Sequence, residues 1–372
     1  MKVLAALSGG VDSSVAAAVL LDAGHEVVGA TLKLWGGASD SGCCSVADVE
    51  DARRCAAQLG IDHHVFNYTD AFDRLVVDPY VEEHVRGNTP NPCIECNRHL
   101  KFDALLRRAE VLGFDAVATG HHARRVMMAD RTWRIGRGED SAKDQSYVLY
   151  TVTGADLEQV LFPIGEMTKS EVRRIAGERG LRTASKPESQ DVCFITRADG
   201  RQAFLSERVE LHRGTVVDSD GTTVGSTDAV ELVTIGQRKG LNLSGGSKRR
   251  FATAVDVRAR TVTVGGPDDL LADWVRLGSV VWASGVPGGA DHAAGIEVTA
   301  QCSAHGHPAS STLRVAEDGQ VDLEWHVAQP KVAPGQSVVF YQNRAGASGE
   351  ECGPSSEHLE TVVGGGIALG SA

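Results

Sequence analysis

Residues 2–24, "KVLAALSGGVDSSVAAAVLLDAG", decide the fold class of this chain. A short apolar run ends at Ser8-Gly9-Gly10, and an apolar helical pattern begins directly after it and ends at Gly24. Glycine is the residue type that most often follows the last turn of a helix. A buried strand that passes through a glycine-rich turn into a helix is the first unit of a parallel α/β sheet.

The same alternation of strand and helix patterns continues to about residue 120. Strand-like runs such as "EVVGATLKLW", "DHHVFNYT" and "DAVATGHH" alternate with helical runs such as "SVADVEDARRCAAQLG" and "NRHLKFDALLRRAEVLG". Ser45, three residues before Asp48, and Thr168, three residues before Glu171, mark helix starts of the capping-box kind. The pattern predicts a doubly wound parallel sheet that binds ligands at the carboxyl ends of its strands.

After about residue 200 the pattern changes. Glycine-rich turns separate short β-like runs, among them "GTVVDSDGTTVG", "TVTVGG", "STLRVAEDGQVDLEW" and "QSVVFY". This pattern predicts a small α+β or β module followed by a β-barrel. We therefore predict three domains, with boundaries at residues 1–200, 201–270 and 271–372.

The composition limits the class of protein. The chain has 372 residues, of which 42% are hydrophobic and 23% charged, as expected for a soluble globular protein of more than one domain. It contains no run of about 18 apolar residues, and its first apolar run is interrupted at Ser8, so we expect a cytoplasmic protein without membrane contact. The net charge of −12 argues against general nucleic-acid binding but permits a local basic face.

The turn "LSGGVDSS" predicts a phosphate site. Two glycines let the backbone approach an anion, the helix N-terminus supplies unpaired N–H groups, and Ser8 and Ser13 add hydroxyl donors. The turn lacks the G-x-x-x-x-G-K-S/T pattern of kinases and GTPases. The alternative is a turn that only caps a helix. Gly120 in "ATGHH" would let the backbone contact adenine or ribose. His121 and His122 could belong to the same pocket or could be ordinary surface or packing residues, and the sequence leaves both interpretations open.

The segment "TPNPCIECNRHLKF" places Cys93 and Cys96 three residues apart, and Cys193 lies in "SQDVCFI". We predict that Cys96 lies at a helix N-terminus, where the helix dipole favours a thiolate. On the sequence alone, Cys193 is best interpreted as a buried, inert thiol. A second C-x-x-C pair is absent, which argues against a four-cysteine zinc site. An iron–sulfur site on Cys93, Cys96 and Cys193 remains an alternative.

Taken together, the motifs resemble the bacterial tRNA-specific 2-thiouridylase family. The matching segments occur in order over nearly the whole chain: "LSGGVDSSVAA", "TPNPCIECNRHLKF", "ATGHHARR", "KDQSYVLY", "LFPIGEMTKSEVRRIA", "SQDVCFI", "TIGQRKGL" and "PGQSVVFY". The thiol segments combined with "KDQSY" are the most specific of these. The phosphate loop alone is shared by many adenylating enzymes that release pyrophosphate.

The resemblance implies ATP-dependent 2-thiolation of the wobble uridine at position 34 in glutamate, glutamine and lysine tRNAs. ATP would adenylate the C2 oxygen, and Asp12 would help to hold Mg²⁺ beside the pyrophosphate. A persulfide on Cys193, loaded by a donor such as a cysteine desulfurase or a relay protein, would deliver sulfur to C2. Cys96 would then attack the persulfide and leave a transient Cys96–Cys193 disulfide, which is compatible with a reducing cytoplasm.

The same resemblance implies the residues of each site. The ATP-binding residues would be Ala6, Leu7, Ser8, Gly9, Gly10, Val11, Asp12, Ser13, Leu32 and Gly120. The tRNA-binding residues would be Asn91, Pro92 and Cys93 at the target base, Lys143, Asp144 and Gln145 elsewhere, and Ala304 and His305 near the C-terminus. Without the resemblance, residues 143–145 would be interpreted as a solvated polar loop.

The chain departs from the family pattern at two places. Many members have Asp, a candidate general base, where this chain has Cys93. The identity of the base is therefore open, and a cluster role for Cys93 gains weight. Where the family often has an Arg-Tyr-Arg run, this chain has Ser303, Ala304 and His305, so that tRNA contact is weakened or replaced.

Two other functions compete with thiolation. Another adenylating ligase would need an ammonia-producing domain or an amino-acid site, neither of which is evident, and it would leave Cys96 and Cys193 without a role. A nucleotide- or metal-binding redox sensor that uses Cys93 and Cys96 would leave the β-rich C-terminal half unexplained.

Overall fold

The computed structural model describes residues 1–35, 45–187, 192–195, 200–244, 249–285, 295–343 and 359–371. These residues form three β-sheets, of five, four and eight strands, with helices around the first sheet.

The first sheet is the predicted parallel one, and every strand pairing in it is parallel. Its strands are β1 (Lys2–Ala6), β2 (Glu26–Lys33), β3 (His63–Asn67), β4 (Ala116–Ala118) and β7 (Val160–Leu161). The order is β3-β2-β1-β4-β7, so the winding direction reverses between β1 and β4. In β1, Val3 and Leu4 are both fully buried and belong to different core clusters. Burial on both faces explains why β1 has a continuous apolar run instead of an alternating one.

Helices surround this sheet. They are α1 (Val11–Asp22), α2 (Val46–Leu59), α3 (Thr69–Phe72), α4 (Asp78–Val85), α5 (Pro92–Cys96), α6 (Leu105–Val111), α7 (Gly154–Leu157), α8 (Lys169–Glu178) and α9 (Gly200–Ser206). The predicted helix starts are confirmed: Ser45 caps α2 through the Asp48 N–H, and Thr168 and Glu171 form a complete capping box at α8. Across the described residues, no helix has the length and apolar character needed to cross a membrane.

Two π-helical segments join neighbouring helices. Asp73–Val77 connects α3 to α4, and Asn97–Ala104 connects α5 to α6. Short 3₁₀ turns occupy Ser146–Leu149, Arg182–Ser185, Val230–Leu232 and Asp268–Leu270.

The position predicted for Cys96 is wrong. The helix begins earlier, at Pro92, and its cap is Asn91, whose Oδ1 accepts a hydrogen bond from the Cys93 N–H at 3.0 Å. Proline is well suited to the first helical position because its fixed φ and missing N–H cost nothing there. Cys93 therefore occupies the first turn, and Cys96 lies further along, at the end of α5 and next to the π-helical segment.

The second sheet has the strand order β10-β11-β8-β9. Its strands are β8 (Gly214–Val217), β9 (Thr223–Thr227), β10 (Phe251–Asp256) and β11 (Thr261–Gly265). Pairing is antiparallel except between β8 and β11. This sheet has a hydrophobic core of its own, in which Val216, Val230 and Val262 are fully buried. The separate core supports the predicted small β module.

The third sheet contains the predicted barrel. Its strands are β12 (Leu271–Trp282), β13 (Ile296–Gln301), β14 (Ala309–Val315), β15 (Val321–Pro330), β16 (Ser337–Asn343) and β17 (Glu360–Ser371). Because β12 pairs with both β15 and β17, these six strands close on themselves.

The barrel sheet continues into the first domain, which the sequence did not indicate. The hairpin of β5 (Ala123–Met127) and β6 (Trp133–Arg137) lies beside β17 and pairs with it where Gly136 meets Thr361. Tyr150 packs against the same strand so closely that a side chain at Gly365 would lie 2.6 Å from its ring. The barrel is therefore attached to the first domain by both strand pairing and side-chain packing.

Candidate active site

The phosphate loop lies where β1 passes into α1, beside the reversal point of the first sheet. Gly9 has a φ of +71°, and a Cβ there would lie 2.3 Å from the Asp48 carbonyl oxygen, so only glycine fits. The Ser13 hydroxyl accepts a hydrogen bond from the Ser8 N–H at 3.2 Å and donates one to the Gly10 carbonyl at 3.1 Å. Ser13 thus fixes the shape of the loop.

The neighbouring strand β2 holds the start of the phosphate loop through a hydrogen bond. The Thr31 hydroxyl donates to the Leu7 carbonyl at 2.7 Å, and Nε2 of His63 lies 2.8 Å from the same hydroxyl. Because the hydroxyl has one proton, Nε2 of His63 must be the donor. Burial lowers the pKa of His63, which favours this neutral form. Leu32, predicted to bind ATP, is buried in the core directly after Thr31.

The remaining predicted ATP-binding residues of this loop follow the chain from strand to helix. Ala6 is the last residue of β1, and Val11, which is buried, is the first of α1.

Asp12, in the first turn of α1, is the centre of the charged network at this site. Nζ of Lys169 lies 2.7 Å from each of its carboxylate oxygens, and Nε2 of His122 lies 3.3 Å from one of them. Burial alone would raise the pKa of Asp12, but hydrogen bonds from His122 and Lys169 outweigh it and hold the pKa below its usual value. Lys169 is the first residue of α8, so the positive ends of α1 and α8 meet at this carboxylate.

The segment after β4 closes the site on the other side. A Cβ on Gly120 would lie 2.5 Å from the Ser13 nitrogen, so the glycine is required by the close approach of α1. His121 is a packing residue: its ring lies 5.9 Å from that of Phe102, and burial lowers its pKa well below the usual value. His122 is buried as well but hydrogen-bonds Asp12. His121 therefore has the packing role considered for both histidines, whereas His122 belongs to the charged network around Asp12.

Sequence reasoning missed Lys169 and Asp140. The Lys169 N–H donates to Oδ2 of Asp140 at 2.9 Å, so the start of α8 is held both by its own cap and by a distant carboxylate. The signal was present in "MTKSE", where a lysine follows the capping residue, but spacing alone does not show that α8 starts beside the phosphate loop.

The three candidate thiols, Cys93, Cys96 and Cys193, belong to one region of the first domain. Cys96 is 6% exposed and lies in the same core cluster against which Cys193 packs. Phe194, next to Cys193, is 3% exposed, and its ring centroid lies 5.5 Å from that of Tyr80. Burial raises the pKa of Tyr80 to about 12, and the charge of nearby Cys93 contributes to the rise. Tyr80 thus lies between the segment of Cys193 and α5.

The iron–sulfur alternative does not fit this arrangement. Cys93, Cys96 and Cys193 all lie in described segments, yet no three His, Cys, Asp or Glu side chains of the described residues are grouped so that they could hold a metal ion. Cys96 instead packs among apolar side chains. The alternative of a three-cysteine iron–sulfur site is therefore not supported, and no step of the chemistry is assigned to a cluster.

Comparison with known proteins gives the family. Residues 1–197 match the tRNA methyl transferase HUP domain, residues 202–266 the tRNA methyl transferase PRC-barrel domain, and residues 273–347 the aminomethyltransferase beta-barrel domain. The tRNA-specific 2-thiouridylase MnmA of Roseiflexus sp. (strain RS-1) is 43% identical over 370 residues, covering 91% of this chain and 96% of the relative. That of Mycolicibacterium smegmatis is 46% identical over 352 residues, covering 92% and 95%. This chain belongs to the tRNA-specific 2-thiouridylase family.

The family residues expected near the target base adjoin the barrel. Asn91 caps α5 and Pro92 is buried. Just before them, the Thr89 N–H donates to the Pro334 carbonyl at 2.7 Å, and Nε2 of Gln336 donates to the Thr89 carbonyl at 2.6 Å. The segment that leads to the thiols is therefore fixed against the barrel.

Residues 143–145 of this 2-thiouridylase family member are not a freely solvated loop. The Asp144 side chain is 7% exposed and accepts hydrogen bonds from Arg137, the Gly138 N–H, and both the N–H and hydroxyl of Ser146. Gln145 exchanges two hydrogen bonds of 2.9 Å with the His122 backbone. Lys143 is partly exposed.

The C-terminal residues expected to contact tRNA lie on a turn after β13. His305 is exposed, and Ala304 packs against the core of the first domain. Nε2 of Gln301 donates to the Ser303 carbonyl at 2.8 Å and to the Ala304 carbonyl at 3.2 Å, while its Oε1 accepts from Nη1 of Arg137 at 2.9 Å. Through Arg137, the structure brings this turn together with residues 143–145.

Proposed function

We propose that this chain catalyses ATP-dependent 2-thiolation of the wobble uridine of tRNA. The observation that carries the proposal is the presence, in one domain, of an Asp12-centred phosphate site and of the two thiols Cys96 and Cys193. A phosphate site alone would suit any adenylating ligase. The thiols add a sulfur carrier, and the names of the 2-thiouridylase relatives agree with this chemistry.

For ATP, the chain offers backbone N–H groups at the turn between β1 and α1, where a helix N-terminus favours phosphate. We assign ATP binding to Ala6, Leu7, Ser8, Gly9, Gly10, Val11, Asp12, Ser13, Leu32 and Gly120. Asp12 suits Mg²⁺ because a carboxylate oxygen is a ligand that this ion prefers, and its side chain is 31% exposed. Lys169 would then turn from Asp12 to a phosphate oxygen.

The chemistry follows from the weakness of a carbonyl oxygen as a leaving group. Attack of the uridine C2 oxygen on the α-phosphorus of ATP expels pyrophosphate and converts that oxygen into part of an AMP ester. The outer sulfur of a persulfide on Cys193 attacks C2. Cys96 attacks the inner sulfur, the S–S bond of the persulfide breaks, and AMP leaves. The resulting Cys96–Cys193 disulfide is reduced by a thiol reductant before the next cycle.

For the substrates, we propose glutamate, glutamine and lysine tRNAs, with sulfur supplied by a cysteine desulfurase or a relay protein. We place this activity in the cytoplasm. A splayed base of the anticodon loop would contact Asn91, Pro92 and Cys93. We assign Cys93 a contact with the target uridine and not the role of general base, because a thiol cannot act there in the same way as the carboxylate that many family members have. The remaining tRNA contacts are proposed at Lys143, Asp144, Gln145, Ala304 and His305, and the domain boundaries near residues 200 and 270 also stay a proposal.

The test is reconstitution with ATP, Mg²⁺, a persulfide donor, a dithiol reductant and tRNA transcripts, with 2-thiouridine measured by mass spectrometry. Cys96→Ser and Cys193→Ser should each lose more than about 99% of thiolation, since each removes a sulfur on which the transfer depends. Both should retain tRNA-dependent pyrophosphate release in the first turnover.

Cys302→Ala is the matched control because Cys302 is a thiol of the barrel that the chemistry does not use. It should keep thiolation near the wild-type rate. Full thiolation by both Cys96→Ser and Cys193→Ser would overturn the proposal. So would pyrophosphate release that needs ammonia or an amino acid instead of tRNA.

A further inference from the structure

One guanidinium, that of Arg137 at the end of β6, joins three separate segments of the chain. Its Nε lies 2.6 Å from Glu360 on β17, and its Nη1 lies 2.9 Å from both Asp144 and Gln301. Its Cζ also lies over the Tyr341 ring, 3.7 Å from the ring centroid. Arginine suits this position because its planar fork presents donors in several fixed directions, which lysine cannot do.

The first of these segments, residues 139–145, is called here the bridging loop because its other contacts reach the ATP site. Oδ2 of Asp140 accepts from the N–H of Lys169, the residue whose Nζ binds Asp12. Gln145 is hydrogen-bonded to the backbone of His122, whose ring also binds Asp12. One loop therefore touches both partners of the phosphate-site carboxylate and is linked to the barrel through the contact of Asp144 with Arg137.

The second segment is the turn of residues 303–307, called here the barrel turn. Gln301 holds this turn through the Ser303 and Ala304 carbonyls while its own side-chain oxygen is held by Arg137. His305 and His307 are exposed there, and Lys143 of the bridging loop is partly exposed. Side chains of this kind contact phosphate and sugar of RNA, contacts that set position and register more than sequence.

We propose that Arg137 is a positioning residue for tRNA, which holds the bridging loop and the barrel turn as one RNA-binding surface across two domains. This inference rests on the proposed function. Arg137 itself is turned inward onto Asp144, Glu360 and Gln301 and does not contact the RNA. RNA that binds to both segments lies on a surface that is fixed to the ATP site through Asp140 and Gln145.

The alternative is that Arg137 only holds the barrel in place. A purely structural role predicts that its loss lowers stability and total activity without separating the two substrates. A positioning role predicts a selective effect on tRNA, because Arg137 takes no part in the hydrogen bonds that join Lys169 and His122 to Asp12.

The experiment measures initial thiolation rates over a range of tRNA and ATP concentrations. Arg137→Gln should raise the KM for tRNA about tenfold, the scale of one lost charge-assisted contact, and leave the KM for ATP within about twofold. The KM of Arg137→Lys for tRNA should lie between those of Arg137→Gln and the wild type. The control is Arg276→Gln, which removes an exposed ion pair with Asp322 on the barrel and should change neither KM.

Asp144→Asn separates positioning from direct RNA contact. If Arg137 acts through Asp144, the double variant should have the same KM for tRNA as Arg137→Gln alone; independent, additive effects would overturn the inference. A folded Arg137→Gln protein whose KM for tRNA stays within twofold of wild type would overturn it as well.

If Arg137→Gln fails to fold, Gln301→Leu takes its place, because it releases the barrel turn while Arg137 keeps Asp144 and Glu360. It should raise the KM for tRNA about threefold at unchanged KM for ATP, on the scale of one neutral hydrogen bond, and an unchanged KM for tRNA refutes the inference. A wild-type protein without tRNA thiolation would instead refute the proposed function, so the two failures are distinguishable.

Discussion

Replacement of Lys169 by Met tests the phosphate site directly. The change removes a cation whose Nζ lies 2.7 Å from both oxygens of Asp12, while a side chain of similar length remains at the start of α8. Unit charges at about 4 Å attract by about 4 kcal/mol at an effective dielectric constant of about 20. Desolvation offsets most of this, and Asp12 is 31% exposed, so we expect the free protein to lose only about 1 kcal/mol of stability.

The larger effect should be on ATP. A hydrogen bond from a cation to a phosphate contributes about 1.5–3 kcal/mol, which corresponds to about 10- to 100-fold weaker binding when it is removed. The assay is calorimetric titration of the protein with Mg²⁺·ATP in the absence of tRNA. Lys169→Arg should recover part of the affinity, since it restores the charge.

The matched control is Arg179→Met. Arg179 lies just after α8 and pairs with Asp22, the last residue of α1, so this variant removes an ion pair between the same two helices at their other ends. If Lys169→Met binds ATP within twofold of wild type, the reasoning is refuted. If Arg179→Met weakens ATP binding as much as Lys169→Met does, helix packing and not a phosphate contact explains the effect.

Three further predictions concern the same domain. Gly120→Ala should cost about 1–3 kcal/mol in urea unfolding and weaken ATP binding, because its Cβ would lie 2.5 Å from the Ser13 nitrogen; unchanged unfolding would contradict this contact. Phe194→Ala should reduce thiolation at least about tenfold while pyrophosphate release persists, because the buried ring fixes the residue next to Cys193, and wild-type thiolation would count against it. The ionised Asp12 should contribute stability above the ordinary carboxyl pKa of 3.8 and lose it as the pH falls through its lower folded-state pKa; in Lys169→Met, unfolding measured across the acid range should show this loss at higher pH.

Local patterns predicted the elements of this fold well. The apolar run of β1, the capping box at Thr168 and the helix end at Gly24, with a φ of +78°, depend on residues that are close in sequence. The helix start at Pro92 could also have been predicted, because Asn followed by Pro is a recognisable cap signal. This signal was overlooked because the apolar helical pattern is clear only after Cys96, which suggested a later start of the helix.

Contacts between distant segments could not be predicted in this way. Lys169 meets Asp12 only because α8 and α1 begin at the same place, and Arg137 meets Glu360 only because β6 lies beside β17. Nothing in the residues next to Arg137 specifies a partner more than 200 positions later. Such pairs depend on topology, and for this reason the residues that position the loops were the ones missed.

The pairing of β6 with β17 has a consequence for biosynthesis. The hairpin of β5 and β6 emerges from the ribosome long before Glu360–Ser371, the strand beside which it lies. The parallel sheet needs only residues up to Leu161 and can form early, since domains tend to fold as they are synthesised. Until β17 has been synthesised, the edge of β6 is unpaired and can form incorrect strand pairings with other chains. Nascent chains that stop short of β17 should therefore be the form most prone to aggregate and most dependent on chaperones.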